Sequence, residues 1–95
     1  MGKTKSRAQR LADVKEALSG ARSEIEMQQG IVEELKDEMQ EWLESIPENL
    51  QGGSKYQAVE EAISNLEEMY SNLDDVTSAI DSADGIEVDF PGMFG

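Results

Sequence analysis

A seven-residue repeat of apolar side chains is the feature that most restricts how this chain can fold. Between Leu11 and Ile46, apolar residues recur in alternating steps of three and four, with one polar interruption at Gln28. In heptad letters, position a holds Leu11, Leu18, Ile25, Val32, Met39 and Ile46, and position d holds Val14, Ala21, Gln28, Leu35 and Trp42. A 3.5-residue period maintained over this length is typical of the contact line, or seam, of a coiled coil. It predicts a first helix over about residues 6–46.

Two glycines lie inside this predicted helix. Gly20 and Gly30 each cost about 1 kcal/mol relative to alanine in a helix interior. The heptad phase passes unchanged through Gly30, so one continuous helix is the favoured prediction. A break at residues 28–30, which would give a three-helix bundle, is the alternative.

A second helix is predicted over about residues 54–83, after a connector at residues 47–53. Capping-box patterns, which mark helix starts, occur twice: Ser6 with Gln9, and Ser54 with Gln57. The second helix has three rows of matching residues with a seven-residue period: Val59, Leu66, Leu73 and Ile80; Tyr56, Ile63, Tyr70 and Thr77; Ala62, Met69, Val76 and Ala83. Three rows are wider than a two-stranded seam requires, so this helix is expected to contact more than one neighbour.

The short connector makes the two helices antiparallel neighbours. The predicted fold is therefore all-α: a long helical hairpin over residues 1–83, which dimerises into a four-helix bundle. The residues expected in the oligomer seam are Leu18, Ile25, Gln28, Val32, Leu35, Met39, Trp42, Ile63, Leu66, Tyr70 and Leu73. A polar residue such as Gln28 in a seam commonly fixes register or oligomeric state.

Residues 84–95 form a non-helical tail in this prediction. Gly85 favours a helix end, and the apolar residues that follow alternate with acids. The apolar residues of the tail are Ile86, Val88, Phe90, Met93 and Phe94. They either cover one end of the bundle or act as a short motif that enters a groove on a partner protein. An acidic stretch with apolar residues at its end resembles the C-terminal tail of bacterial single-stranded-DNA-binding proteins.

Charge is divided unevenly along the chain. Residues 1–22 contain six bases and two acids, whereas residues 23–95 contain two bases and nineteen acids, for a total net charge of −13. Acids recur with the heptad on the second helix: Glu60, Glu61, Glu67, Glu68, Asp74, Asp75 and Asp81. A merely solvated face is one interpretation. Because soluble helices usually mix charge signs, the other interpretation is a surface that imitates the phosphate charge of a nucleic acid.

Composition argues against catalysis, metal binding and membrane insertion. The chain has neither histidine nor cysteine, which removes the usual general base, the thiol nucleophile and the commonest metal ligands. The carboxylates are expected on the outer face, where nothing shifts their pKa values towards neutral pH. No apolar run is long enough to cross a bilayer. We therefore expect a cytoplasmic, non-enzymatic protein without a cofactor. Direct nucleic-acid binding through the basic N-terminal residues would have to overcome the charge of the acidic body.

Three segments resemble small, uncharacterised, acidic helical proteins of bacteriophages. They are Glu41-Trp-Leu-Glu-Ser-Ile-Pro-Glu-Asn-Leu-Gln51, Tyr56-Gln-Ala-Val-Glu-Glu-Ala62 and Phe90-Pro-Gly-Met-Phe-Gly95. The resemblance implies no known activity, but it implies a bacterial host as the setting. In that setting the expected function is inhibition of a host or defence protein, such as a nucleic-acid-binding enzyme, through the acidic helices, the tail or both. The alternative is a structural or assembly protein that binds mainly itself or virion components.

Overall fold

The computed structural model describes residues 5–91 and contains two long helices in an antiparallel hairpin. Helix α1 spans Arg7–Ser45, a single turn of 3-10 helix spans Glu48–Leu50, and helix α2 spans Ser54–Asp84. The described residues after Gly85 belong to no helix or strand. The hairpin measures 78 × 27 × 15 Å, so it is a single layer two helices wide. Its all-helical architecture confirms the predicted fold class.

Helix α1 is continuous through both glycines, and the alternative of a break at residues 28–30 is wrong. Ser6 caps its start, because the Ser6 side-chain oxygen accepts a hydrogen bond from the Gln9 backbone N–H at 3.1 Å. The return bond of a complete capping box is replaced by one from the Gln9 side chain to Asp13. Helix α1 ends before Pro47, as the restricted angles of the residue before proline require.

The start of helix α2 differs from the prediction. Gly53, and not Ser54, is the N-cap residue, and no side chain caps this end. The capping box predicted from Ser54 and Gln57 is therefore wrong. The Gly53 carbonyl instead accepts a hydrogen bond from the Gln57 backbone N–H at 3.2 Å. Ser54, the expected cap, is therefore already the first residue of the helix.

The contact between the helices uses a different edge of helix α1 from the one the heptad predicted. Position a faces helix α2, as predicted. The second row of helix α1 in the contact is not position d but the residues four positions after position a: Lys15, Arg22, Gln29, Lys36 and Leu43. The predicted d row lies beside this contact and is largely exposed; Val14, Leu35 and Trp42 retain 42–53% of their surface. Helix α2 uses its first two rows, with Val59 and Ile63 buried. The core is therefore a thin line between two helices.

Candidate interaction surfaces

The hairpin has two broad sides, and helical geometry assigns a different residue row to each. At 100° per residue, the residue three positions after a seam residue and the residue one position after it lie on opposite sides of the seam. Because the helices are antiparallel, the residues three positions after the seam residues lie on the same side of the hairpin in both helices. We call this side the uncharged face. Its rows are Val14, Ala21, Gln28, Leu35 and Trp42 on helix α1, and Ala62, Met69, Val76 and Ala83 on helix α2.

Two contacts across the helices confirm this division. Lys55 precedes the helix α2 row of the uncharged face by one heptad, and its Nζ lies 5.5 Å from the centre of the Trp42 ring. On the other side, Arg22 pairs with Asp81, which follows Ile80 of the seam. A cation over an indole face is an attractive arrangement, and it covers part of Trp42 at the connector end.

The opposite side, which we call the acidic face, collects four of the seven predicted acids of helix α2. Glu60, Glu67, Asp74 and Asp81 follow the seam residues of helix α2 by one position, and Glu26 and Glu33 do the same on helix α1. The second acid of each pair on helix α2 (Glu61, Glu68, Asp75) lies on the back of the helix, pointing away from helix α1. All seven predicted acids are exposed. The structure thus separates them into a face row and a back row.

A shallow hollow lies midway along the acidic face. It has a volume of about 200 Å³ and is lined by Val32, Glu33, Lys36, Leu66, Glu67, Tyr70 and Ser71. The lining combines apolar side chains of the seam with carboxylates and an ammonium group at the rim. Such a hollow can accept a side chain that has an apolar stem and a charged end.

Basic residues of helix α1 supply counter-charge to the acids of helix α2. Arg22 Nε lies 2.6 Å from Asp81 Oδ1, and Arg22 Nη2 lies 3.2 Å from Asp81 Oδ2. This bond from Arg22, and the attraction of its charge, lower the pKa of Asp81. The same pairing raises the pKa of Arg22. Lys15 Nζ donates to the Asp84 carbonyl oxygen at 2.7 Å.

The periodicity of apolar residues did not single out these bases, although they form one row on helix α1. Lys15, Arg22 and Lys36 fall on one heptad position together with Gln29, a signal that was present in the sequence. The count of charges along the chain groups Lys15 and Arg22 with the basic N-terminal residues instead. Of the basic N-terminal residues, Lys5 lies just before helix α1 and donates to Asp13 of that helix at 2.7 Å, and this bond is the main cause of the lowered pKa of Asp13.

The buried polar residue of the seam is Gln29. Its Nε2 donates to the Tyr70 carbonyl oxygen at 3.2 Å, and the side chain is nearly inaccessible. Gln28, the residue expected in the seam, is exposed and donates to Glu24 on the same helix. Of the other predicted seam residues, Leu18, Ile25, Val32, Met39, Ile63, Leu66 and Leu73 lie in the contact between the helices, and Tyr70 lies at its border.

The tail returns along the uncharged face at the open end of the hairpin. Phe90 borders an open hollow of about 360 Å³ with Arg7, Arg10, Leu11 and Val14 of helix α1. Phe90 remains 41% exposed there, and Ile86 and Val88 are more exposed. Met93 and Phe94, also predicted as tail anchors, lie outside the described residues.

Within residues 5–91, no three acidic side chains are grouped closely enough to hold a metal ion. The helices among those residues include none that is long and apolar enough to cross a membrane. The arrangement presents charge on one side and apolar surface on the other, which are the elements of binding surfaces.

Comparison of this chain with protein-family models, with curated proteins and with solved structures finds no significant match.

Proposed function

We propose that this chain is a non-enzymatic binding module whose acidic face binds the basic surface of a protein partner. In the bacterial setting implied by the phage resemblance, the partner is a host or defence protein that itself binds nucleic acid. By occupying the basic surface, the module would compete with the nucleic acid and inhibit its partner. Direct nucleic-acid binding is disfavoured because the acids, which outnumber the bases by nineteen to two over residues 23–95, would repel the phosphates.

The observation that carries the proposal is the separation of charge between the two broad sides. Solubility alone requires acids at exposed positions, but it does not require that one face carry acids and the other carry none on its two rows. Glu60, Glu67 and Asp74 recur every seven residues, about 10.5 Å apart at 1.5 Å per residue. This spacing differs from the distance between phosphates on one strand, so the face imitates the field of a nucleic acid and not its geometry.

The hollow on the acidic face adds a chemical preference. Its floor is apolar at Val32 and Leu66, and its rim carries Glu33 and Glu67. An arginine or lysine from the partner could lay its aliphatic stem on the floor and bring its charge to the rim. Lys36 lies at the same rim. The incoming side chain would displace the Lys36 ammonium group, or Lys36 would limit the hollow to a single cation of the partner.

The experiment compares two variants of equal charge. One replaces the face row by amides (Glu60→Gln, Glu67→Gln, Asp74→Asn), and the control replaces the back row (Glu61→Gln, Glu68→Gln, Asp75→Asn). Each is used as bait in a nuclease-treated bacterial lysate at low and high salt. We expect a partner that binds the wild type and the control at low salt, is lost at high salt because of screening, and is lost with the face variant.

The result that would contradict the proposal is equal behaviour of the two variants. Equal loss would mean that net charge, and not the face, governs binding. Equal retention would remove the acidic surface from the mechanism; if deletion of residues 85–95 then abolished binding, the tail would be the site.

A second candidate function is structural. The uncharged face favours a protein that binds mainly itself, as an assembly or scaffold-like coiled coil, or that binds virion components. For both functions we propose that the hairpin dimerises into a four-helix bundle, because a single layer leaves one apolar face in water. Sedimentation equilibrium at micromolar concentration tests the dimer, and a folded monomer would contradict it.

A further inference from the structure

The uncharged face is large enough to be a stable interface between two copies of this chain. Its rows extend from Val14 to Trp42, about 42 Å at 1.5 Å per residue, and two helices give a width of about 20 Å. The resulting area of roughly 800 Å² per copy matches what a standard-size specific interface buries on each partner. No other part of residues 5–91 covers the middle of this face, where Leu35 and Met69 are each more than 40% exposed.

We infer that the second copy packs on this face in the antiparallel orientation. The two copies are related by a two-fold axis that passes beside Gln28. This axis is parallel to the face and perpendicular to both helices. This arrangement rests on the proposed dimer, and it places the two connectors at opposite ends of a four-helix bundle. Each helix α1 then contacts the helix α1 of the second copy, and each helix α2 contacts the other helix α2.

The residue sizes along helix α1 support this axis. Gln28 is the middle member of the row and meets Gln28 of the second copy, where two side-chain amides can bond to each other. On either side of it, Leu35 faces the partner's Ala21, and Trp42 faces the partner's Val14. Each large side chain therefore meets a smaller one, which is how packed layers interdigitate.

The row on helix α2 has its midpoint at the same level. Its midpoint falls between Met69 and Val76, and the bond from Gln29 to the Tyr70 carbonyl places this part of helix α2 beside the middle of helix α1. One axis therefore serves both helices. It brings Met69 opposite the partner's Val76, and Ala62 opposite the partner's Ala83. Two rows on different helices need not share a midpoint, and their near agreement allows one axis across the hairpin to relate both helices to those of the second copy.

The open hollow at the tail receives an occupant in this arrangement. The partner's Trp42 arrives opposite Val14, at the hollow of about 360 Å³ that Val14 and Leu11 form with Phe90. An indole ring can fill apolar space of this kind, with Arg7 and Arg10 at its border as cationic neighbours.

Charges at the ends of the hairpin also suit the antiparallel arrangement. Arg7 and Arg10 lie near the partner's connector, which carries Glu48. Opposite charges therefore approach at both ends of the bundle.

The experiment uses the absence of cysteine from the chain. Single variants Gln28→Cys and Ala21→Cys each introduce one thiol, and the full-length proteins are treated with an oxidant or a short bis-maleimide. Gln28→Cys should cross-link into a covalent dimer with high yield, because the two thiols face each other at the axis. Ala21→Cys should cross-link at least tenfold more slowly, because its two copies are separated by about 21 Å along the helices.

Sedimentation equilibrium of the unmodified chain separates the two levels of the inference. A monomer, or any stoichiometry other than two, would overturn the dimer itself. A dimer in which Ala21→Cys cross-links as fast as Gln28→Cys would leave the dimer standing and overturn the antiparallel register. Circular dichroism of both variants, with wild-type helicity expected, ensures that slow cross-linking does not report unfolding.

Discussion

Arg22 and Asp81, which are 59 residues apart in the sequence, form a two-pronged ion pair across the hairpin, with Nε–Oδ1 and Nη2–Oδ2 distances of 2.6 and 3.2 Å. This pair links the basic row of helix α1 to the acidic row of helix α2. Arg22 lies on the side of helix α1 that is turned towards helix α2, whereas Leu35 lies outside the seam. The fork geometry also gives the pair a fixed orientation that a lysine could not supply.

Removal of the guanidinium should raise the pKa of Asp81. The lowered pKa of Asp81 arises first from the bond donated by Arg22. Because the folded-state pKa lies below the unfolded value of about 3.9, the pair stabilises the fold above that pH, and this contribution is lost as pH falls through the folded-state pKa. In Arg22→Met, which keeps the aliphatic stem, a carboxyl NMR titration should give Asp81 a pKa nearer its ordinary value. An unchanged pKa would show that the pair does not persist in solution.

Replacement of Gly30 by alanine should stabilise the hairpin. Gly30 lies in a continuous helix, and a Cβ built there has no atom within 4 Å apart from its own helical backbone. Alanine in a helix interior is favoured over glycine by about 1 kcal/mol, so urea unfolding should show that increase in the free energy of unfolding. Gly20→Ala is the matched variant on another side of the helix, and the two gains should add. A loss of stability would indicate that Gly30 is needed for a contact with another molecule.

Truncation of Ile63 should be far more costly than truncation of an exposed residue of similar size in the hairpin alone. Ile63 is 9% exposed in the seam, and its replacement by alanine should lower the free energy of unfolding by about 2–4 kcal/mol. Met69→Ala, six residues later on the uncharged face, should have little effect at concentrations where the chain is monomeric. At higher concentrations, where the wild type dimerises and the variant does not, the Met69 variant should be less stable than the wild type. A concentration-independent effect at Met69 would argue against burial of that face.

Salt should stabilise the fold. The net charge of −13 and the repeated acids on helix α2 repel one another in the compact state. Raising the salt concentration from 0.01 to 1 M shortens the screening length from about 30 to about 3 Å, so the melting temperature should rise by several degrees. The variant with an amide back row (Glu61→Gln, Glu68→Gln, Asp75→Asn) should respond less, because part of the repulsion has been removed. A melting temperature that falls with salt would mean that attractive pairs such as Arg22 with Asp81 outweigh the repulsion.

Heptad spacing alone predicted the two helices and the all-helical class. Position a of helix α1 and the rows of Val59 and Ile63 lie in the seam because a 3.5-residue period keeps one stripe facing one neighbour. Hydrophobicity could not select the second row of helix α1, since position d is the more apolar choice. The row that packs in the structure is the one from which Lys15 and Arg22 bond to the end of helix α2 while their stems cover the seam on that side.

The candidate surfaces were predictable in composition but not in grouping. The sequence places acids at Glu60 and Glu61 as neighbours, and only the seam reveals that one lies on the acidic face and the other on the back of helix α2. The position of Phe90 beside Val14 could not be predicted from periodicity either, because a non-helical tail has no repeat that fixes its direction. The sequence offered both dispositions of the tail, and the described part follows the hairpin.

The antiparallel layout gives the hairpin a graded order of closure. Cross-helix contacts join residues ever farther apart in the chain, from Trp42 and Lys55 beside the connector to Gln29 and Tyr70, and then to Lys15 and Asp84, 69 residues apart. Each pair closes a loop that the previous pair has already shortened, so we expect the contacts between the two helices to form from the connector outwards. The opposite end of the hairpin is then the first to open. Phe90 lies at that end, where its contact with helix α1 stabilises the helical turns that pack last.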